Sequence, residues 1–220
     1  MRALTAAVLV LAGFASGQES SPLVKGHRIG ETFNDYLTVA KGSTENAARA
    51  LTDCGTLVSD RKNQKRYLSG PPTFHLDEWF GFQTEFDGCL QLAKAVEGQK
   101  ALIQDGLNGF MFVARKLVMI RLTILEDFGK VKGDLTQKYG PPDREEQVRY
   151  QNGFGAVYLH PRVTWERRAD VTIRAEEDAH PVAEGVPGIR KIYPITVDIA
   201  DWTWAQSLVT EEENRPSSIE

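Results

Sequence analysis

The stretch "LTQKYGPPD", residues 135–143, carries Leu135 and Tyr139 four apart and then runs into Gly140, Pro141 and Pro142. Upstream, Phe128 and Val131 continue the same stripe at helical spacing. The pattern predicts an amphipathic helix, although Gly129 and Gly133 each weaken it by roughly 1 kcal/mol relative to alanine. Gly140 is expected to end that helix in the left-handed conformation, and the two prolines prevent its resumption. This stop divides the chain: helices followed by strands precede it, and strand material follows it.

Working back from it, "IQDGLNGFMFVARKLVMIRLTIL" holds short Val-, Ile- and Phe-rich runs broken by Asp105-Gly106 and Asn108-Gly109, the composition of strands joined by tight turns. Strands are expected near 99–104, 109–115 and 117–125. Further upstream, Phe33, Tyr36, Leu37 and Ala40 share one helical face, Thr32 and Asp35 resemble a capping box, and Gly42 is a natural stop. A second helix is expected over 44–54. Residues 55–88 carry Trp79, Phe80, Phe82 and Phe86 without a clean period and are read as helix fragments and loop.

Beyond the stop, "EQVRYQ", "GAVYLHPRVTWERR", "ADVTIRAEE" and "YPITVDIADWTWAQSL" read as strands. Alternation in Val171, Ile173 and Ala175, and in Ile195, Val197 and Ile199, suits a sheet with one wet face. The fold class expected is therefore α+β, with tandem helix-plus-antiparallel-sheet units packed together. The divisions are 18–126, with a loop-rich insertion at 55–88, then 127–209, and a disordered tail at 210–220.

The chain opens with Met1-Arg2, an apolar run from Ala3 to Ala15 and a small-residue exit at Ala15-Ser16-Gly17, the pattern of a secretory signal peptide over 1–17. The apolar run is shorter than the roughly 20 residues that span a bilayer as a helix, so no transmembrane segment is expected after its removal. The location expected is exported, periplasmic or extracellular. Cys54 and Cys89 are the two cysteines, and in an oxidising compartment their default state is a disulfide. Two thiols without a nearby histidine make a poor zinc site, which wants four ligands. A formal charge of −4 without long single-sign blocks argues against nucleic acid or an anionic membrane as partner.

"IGETFNDYL", with Gly30, Thr32 and Leu37, and "VKGDLTQKYGPPD", with Val131, Leu135, Gly140, Pro142 and Asp143, resemble the helix entry and exit of SmpA/OmlA-type small lipoproteins and of β-lactamase-inhibitor-like tandem modules. Unlike those lipoproteins, the chain has no lipid-acceptor Cys beside the leader. The resemblance implies an exported, non-catalytic module whose sheet face contacts another protein.

Catalytic signatures are sparse. His75 stands before Asp77 and Glu78, but these two adjacent carboxylates diverge on a helix or a strand, so only one could join it. His27, His160 and His180 stand apart in sequence, and neither HExxH, GxSxG nor a Walker-type loop occurs. "GFGAV" at 153–157 reads as a hairpin turn, and Arg61, Lys62, Lys65 and Arg66 as a solvated segment. No catalytic residue, metal or cofactor is assigned. Trp202 and Trp204, two apart on an expected strand, with Trp165 across from them, form a candidate aromatic binding surface. Their competing assignment is the core face beneath the second helix. The function expected is binding to another envelope or secreted protein; the alternatives are a small secreted hydrolase and a purely structural envelope protein.

Overall fold

The computed structural model describes residues 23–70, 76–151, 155–168, 170–178 and 193–213. The expected leader, His75, His180 and residues 214–220 lie outside them. Four helices come first: α1 (Phe33–Lys41), α2 (Thr44–Ser59), α3 (Arg61–Leu68) and α4 (Leu76–Val96). They are followed by β1 (Ala101–Asp105), β2 (Asn108–Val113) and β3 (Lys116–Ile124). After α5 (Phe128–Tyr139) come β4 (Arg144–Gln151), β5 (Val157–Arg168), β6 (Val171–Glu177), β7 (Ile195–Asp201) and α6 (Trp202–Glu213). The fold is α+β. Among the described residues no helix is long and apolar enough to cross a membrane.

Local chemistry explains the element ends. Thr32 Oγ1 accepts the Asp35 backbone N–H at 3.2 Å, and Gly42 closes α1 at φ 76°, ψ −9°. Phe33, Tyr36 and Leu37 are buried as the stripe requires, whereas Ala40, next on it, is exposed. Asp127 caps α5 by accepting the Lys130 N–H at 3.2 Å. Residues 55–88 are more helical than expected: α2 runs to Ser59, α3 follows, and α4 spans 21 residues. Helix α4 packs against both α2 and β1. Its aromatic residues also meet α3, with Phe86 stacked on Tyr67 and Phe82 under Arg66. Trp79, Phe82, Phe86 and Cys89 do stand 3, 4 and 3 apart, a helical stripe, and the exposed Phe80 beside Trp79 is what blurs it in the sequence.

All seven strands join one antiparallel sheet in the order β1-β2-β3-β7-β6-β5-β4. The strands before and after α5 are therefore not separate sheets: β3 pairs with β7, Ile120 opposite Ile199 and Leu122 opposite Val197. One face carries the core. A cross-strand row of Phe110, Ile120, Ile199, Ile173 and Trp165 crosses five strands, and Leu122, Val197, Ala175 and Val163 form the next. All nine are buried, and each large apolar side chain so placed stabilises the fold by about 1.5–3 kcal/mol. Phe33 and Tyr36 of α1 meet Phe112, and Val131 of α5 belongs to the same core.

Two expectations about chain ends need correction. Gly140 is not left-handed helical: it lies at φ 81°, ψ −174°, an extended conformation of positive φ that only glycine adopts readily. In that conformation its N–H donates to Thr136 O at 2.9 Å and its carbonyl accepts the Trp165 indole N–H at 2.7 Å. Gly140→Ala meets no atom within 4 Å, so its expected cost is backbone strain alone, about 1–3 kcal/mol. Thermal unfolding would show this as a lower Tm, and an unchanged Tm would refute it. At the other end, β7 stops at Asp201, whose carboxylate accepts the Trp204 N–H at 2.9 Å and starts α6. Helix α6 then continues to Glu213, past the point at which disorder was expected.

Candidate functional site

The aromatic row expected at residues 165, 202 and 204 does not form. Trp165 is fully buried in the core row of β5. Trp202 and Trp204 lie half-buried on α6, where residues two apart point about 200° from each other. The capping signal of Asp201 overrides the strand pattern, and a face shared at period 2 is lost with it. Cys54 and Cys89 are joined, with Cα atoms 4.9 Å apart, linking α2 to α4.

The other singled-out residues are placed as structural parts. His27 is buried, with Nδ1 2.7 Å from Glu31 Oε1 and its ring against Tyr36 and Phe110. Asp77 and Glu78 lie in the first turn of α4, where the helix dipole favours carboxylates. Arg61, Lys62, Lys65 and Arg66 all fall on α3, with the Arg66 guanidinium 4.2 Å from the Phe82 ring centroid. Of "GFGAV", Gly153 and Phe154 lie outside the described residues and Gly155 takes φ 82°.

The strongest concentration of oriented polar chemistry is on the sheet face opposite the core, and the sequence reading missed it. Directly opposite one another in the ladder stand Arg121 on β3, Asp198 on β7 and Arg174 on β6. Arg121 grips Asp198 side-on, Nε to Oδ1 at 2.7 Å and Nη2 to Oδ2 at 2.9 Å, while Arg174 Nη2 reaches Oδ2 at 3.0 Å. The Asp198 side chain is only 7% exposed, whereas those of Arg121 and Arg174 are 46% and 45% exposed. Two residues along the strands, Arg162 on β5 holds Glu176 on β6 through Nε at 2.7 Å and Nη2 at 2.9 Å. Tyr150 on β4 donates its hydroxyl to the same carboxylate, and Arg162 also reaches Glu146 at 3.3 Å. All of these side chains except Glu146, with Glu177, Asp178 and Thr196, line a shallow depression of about 210 Å³.

A signal for this row does exist in the sequence. "KLVMIRLTI" and "ITVDIAD" are apolar strands, each with one charge in its interior, and of opposite sign. Only the pairing of β3 with β7, across 77 residues of chain, shows that the two charges meet.

Electrostatics tie the group together. Burial pushes the Glu176 carboxyl up, but hydrogen bonds from Arg162 and Tyr150 outweigh it and leave the group below its ordinary value. The hydrogen bond to Glu176 in turn raises the Tyr150 phenol. Because the folded state holds the Glu176 proton less tightly than the unfolded chain, the contribution of this group is complete above the ordinary carboxylate range. It is lost as pH falls through the lower folded value. Denaturant midpoints should therefore fall on acidification to about pH 3, and by less in Glu176→Gln; identical pH dependence in both proteins would contradict this.

The carboxylates of Asp198 and Glu176 are engaged by guanidinium or phenol donors, an arrangement suited to holding donors in fixed directions. Among the described residues no three His, Cys, Asp or Glu side chains gather as a metal site. His160 is buried beside this face, with Nδ1 3.1 Å from Glu177 and its ring against Tyr150 and Tyr193. No protein-family model matches the chain, and no curated protein or solved structure is significantly similar to it.

Proposed function

We propose that the protein is an exported, non-catalytic binding module that holds another envelope or secreted protein against the open face of its sheet. The observation that carries this reading is the state of Arg121 and Arg174. Both guanidiniums are fixed by one buried carboxylate, yet nearly half of each side chain remains exposed. An arginine already ordered in the free protein loses less freedom on binding, and arginine is among the residues that dominate interface energetics.

Export is supported by the leader-like start and by the joined Cys54 and Cys89. The likeness of the helix boundaries to SmpA/OmlA-type and β-lactamase-inhibitor-like modules points the same way, since it implies a sheet face in contact with a protein. The face that now fits that role is the charged one, not the tryptophan row.

The test is capture from the source envelope fraction under non-reducing conditions, comparing the wild type with Arg121→Ala/Arg174→Ala. A partner retained by the wild type and lost from a double variant of native circular dichroism supports the reading. Identical capture by both proteins rejects this face. Turnover of an ester, peptide or glycoside substrate would replace binding with hydrolysis as the function.

A further inference from the structure

The two edges of the sheet are unequal. At one edge, β1 is five residues long and its Leu102 N–H already donates to the Gln91 side chain of α4 at 3.1 Å. At the other, β4 offers eight residues, and among the described residues no strand lies beyond it. Charged side chains on an edge normally discourage pairing with another strand. That protection weakens where a charge meets its opposite across the seam.

Reading "REEQVRYQ", residues 144–151, antiparallel against itself gives such a match. A two-fold axis perpendicular to the sheet keeps each face continuous, which requires paired residues of the same parity. With Gln147 on the axis, Glu145 stands opposite Arg149 twice, Arg144 opposite Tyr150, and Glu146 opposite Val148. Moving the axis to Glu146 sets that carboxylate against itself. With the axis at Val148, Arg149 faces Gln147 and no opposite charges meet.

The backbone agrees with this register. Pro161 on β5 stands opposite Gln147 and has no N–H to donate into the ladder. Proline fits there when the pair is one of the non-hydrogen-bonded ones, which directs the N–H and C=O of Gln147 to the open edge. Arg149 is exposed and has no ion-pair partner among the described residues, while Glu145, with 54% of its side chain exposed, is held at 2.6 Å by Lys132 of α5.

We propose that β4 is a self-association edge: two copies of this chain pair antiparallel through residues 144–151 with Gln147 on the two-fold axis, joining their sheets and setting Glu145 of each against Arg149 of the other. The occupant is a second copy because Glu145 and Arg149 of this one segment complement each other twice across the axis. Pairing brings two open faces, each with its Arg121, Asp198 and Arg174, onto one side of a single sheet.

Sedimentation velocity of the disulfide-intact protein over a concentration series tests this. The wild type is expected to show a monomer–dimer equilibrium. Arg149→Glu breaks both symmetric pairs and should weaken the dimer about tenfold or more, and adding Glu145→Arg should restore it. Gln147→Pro, at a position whose N–H faces outward, should leave the fold intact and abolish the dimer. A monomer at every concentration overturns the proposal, as does a dimer indifferent to Arg149→Glu or not restored by the exchange. If Gln147→Pro fails to fold, the charge exchange decides alone.

Discussion

Cys54→Ser/Cys89→Ser is expected to lose about 4 kcal/mol of stability, the value that the chain-entropy model assigns to a closed loop of 35 residues. The loss should also be local. Helix α2 buries only Ala47, and α3 buries no residue. Besides the disulfide, this lobe is held by α2 packing on α1 and α4, the Tyr67–Phe86 stack, the Arg66–Phe82 contact and the Tyr67–Asp87 hydrogen bond. Urea unfolding followed by circular dichroism measures the total. Hydrogen exchange places it: amides of α2 and α3 should lose protection well before those of β3 and β7. A loss below about 1 kcal/mol would show that helix packing alone holds the lobe, and equal loss in helices and sheet would show that the two parts unfold as one.

Trp165→Ala should be comparably severe, at about 3–5 kcal/mol, because it empties a fully enclosed site in the core row. It also removes the indole N–H that satisfies the Gly140 carbonyl. Trp165→Phe separates the two effects by keeping an aromatic ring and deleting the donor. Its expected cost is about 1–3 kcal/mol, the range for a buried polar group left without its partner together with the volume lost. If Trp165→Phe were neutral in denaturant unfolding, the hydrogen bond would not be what holds the corner. If Trp165→Ala cost under about 1 kcal/mol, the row would not be the centre of the core.

What was legible in the sequence follows from how far apart the deciding residues stand. Thr32 with Asp35, Gly42 and the stripe from Phe128 to Tyr139 act within a few residues, so α1 and α5 could be read directly. The alternation of Val171, Ile173 and Ala175 likewise fixed which side chains face the core. Helix α4 was legible in Trp79, Phe82, Phe86 and Cys89, which stand 3, 4 and 3 apart, but the exposed Phe80 among them masked the period. Asp201 was the other failure: its capping oxygen ends β7 one residue before Trp202, which two residues of tryptophan spacing could not reveal. The charged row was out of reach for a different reason. Arg121, Asp198 and Arg174 are unremarkable one at a time, and only the strand order makes them neighbours.

The place of β7 also bears on how the molecule comes to be folded. It is the last strand among the described residues, yet it sits between β3 and β6 in the middle of the sheet. Until it arrives, the hairpins β1-β2-β3 and β4-β5-β6 each end in an unsatisfied inner edge. A chain emerging N-terminus first therefore cannot complete its sheet by stages. It must keep both partial sheets from pairing wrongly until residues 195–201 close the gap. Truncation before Ile195 should leave one chain with two open strand edges, which aggregates rather than folding as a smaller stable protein.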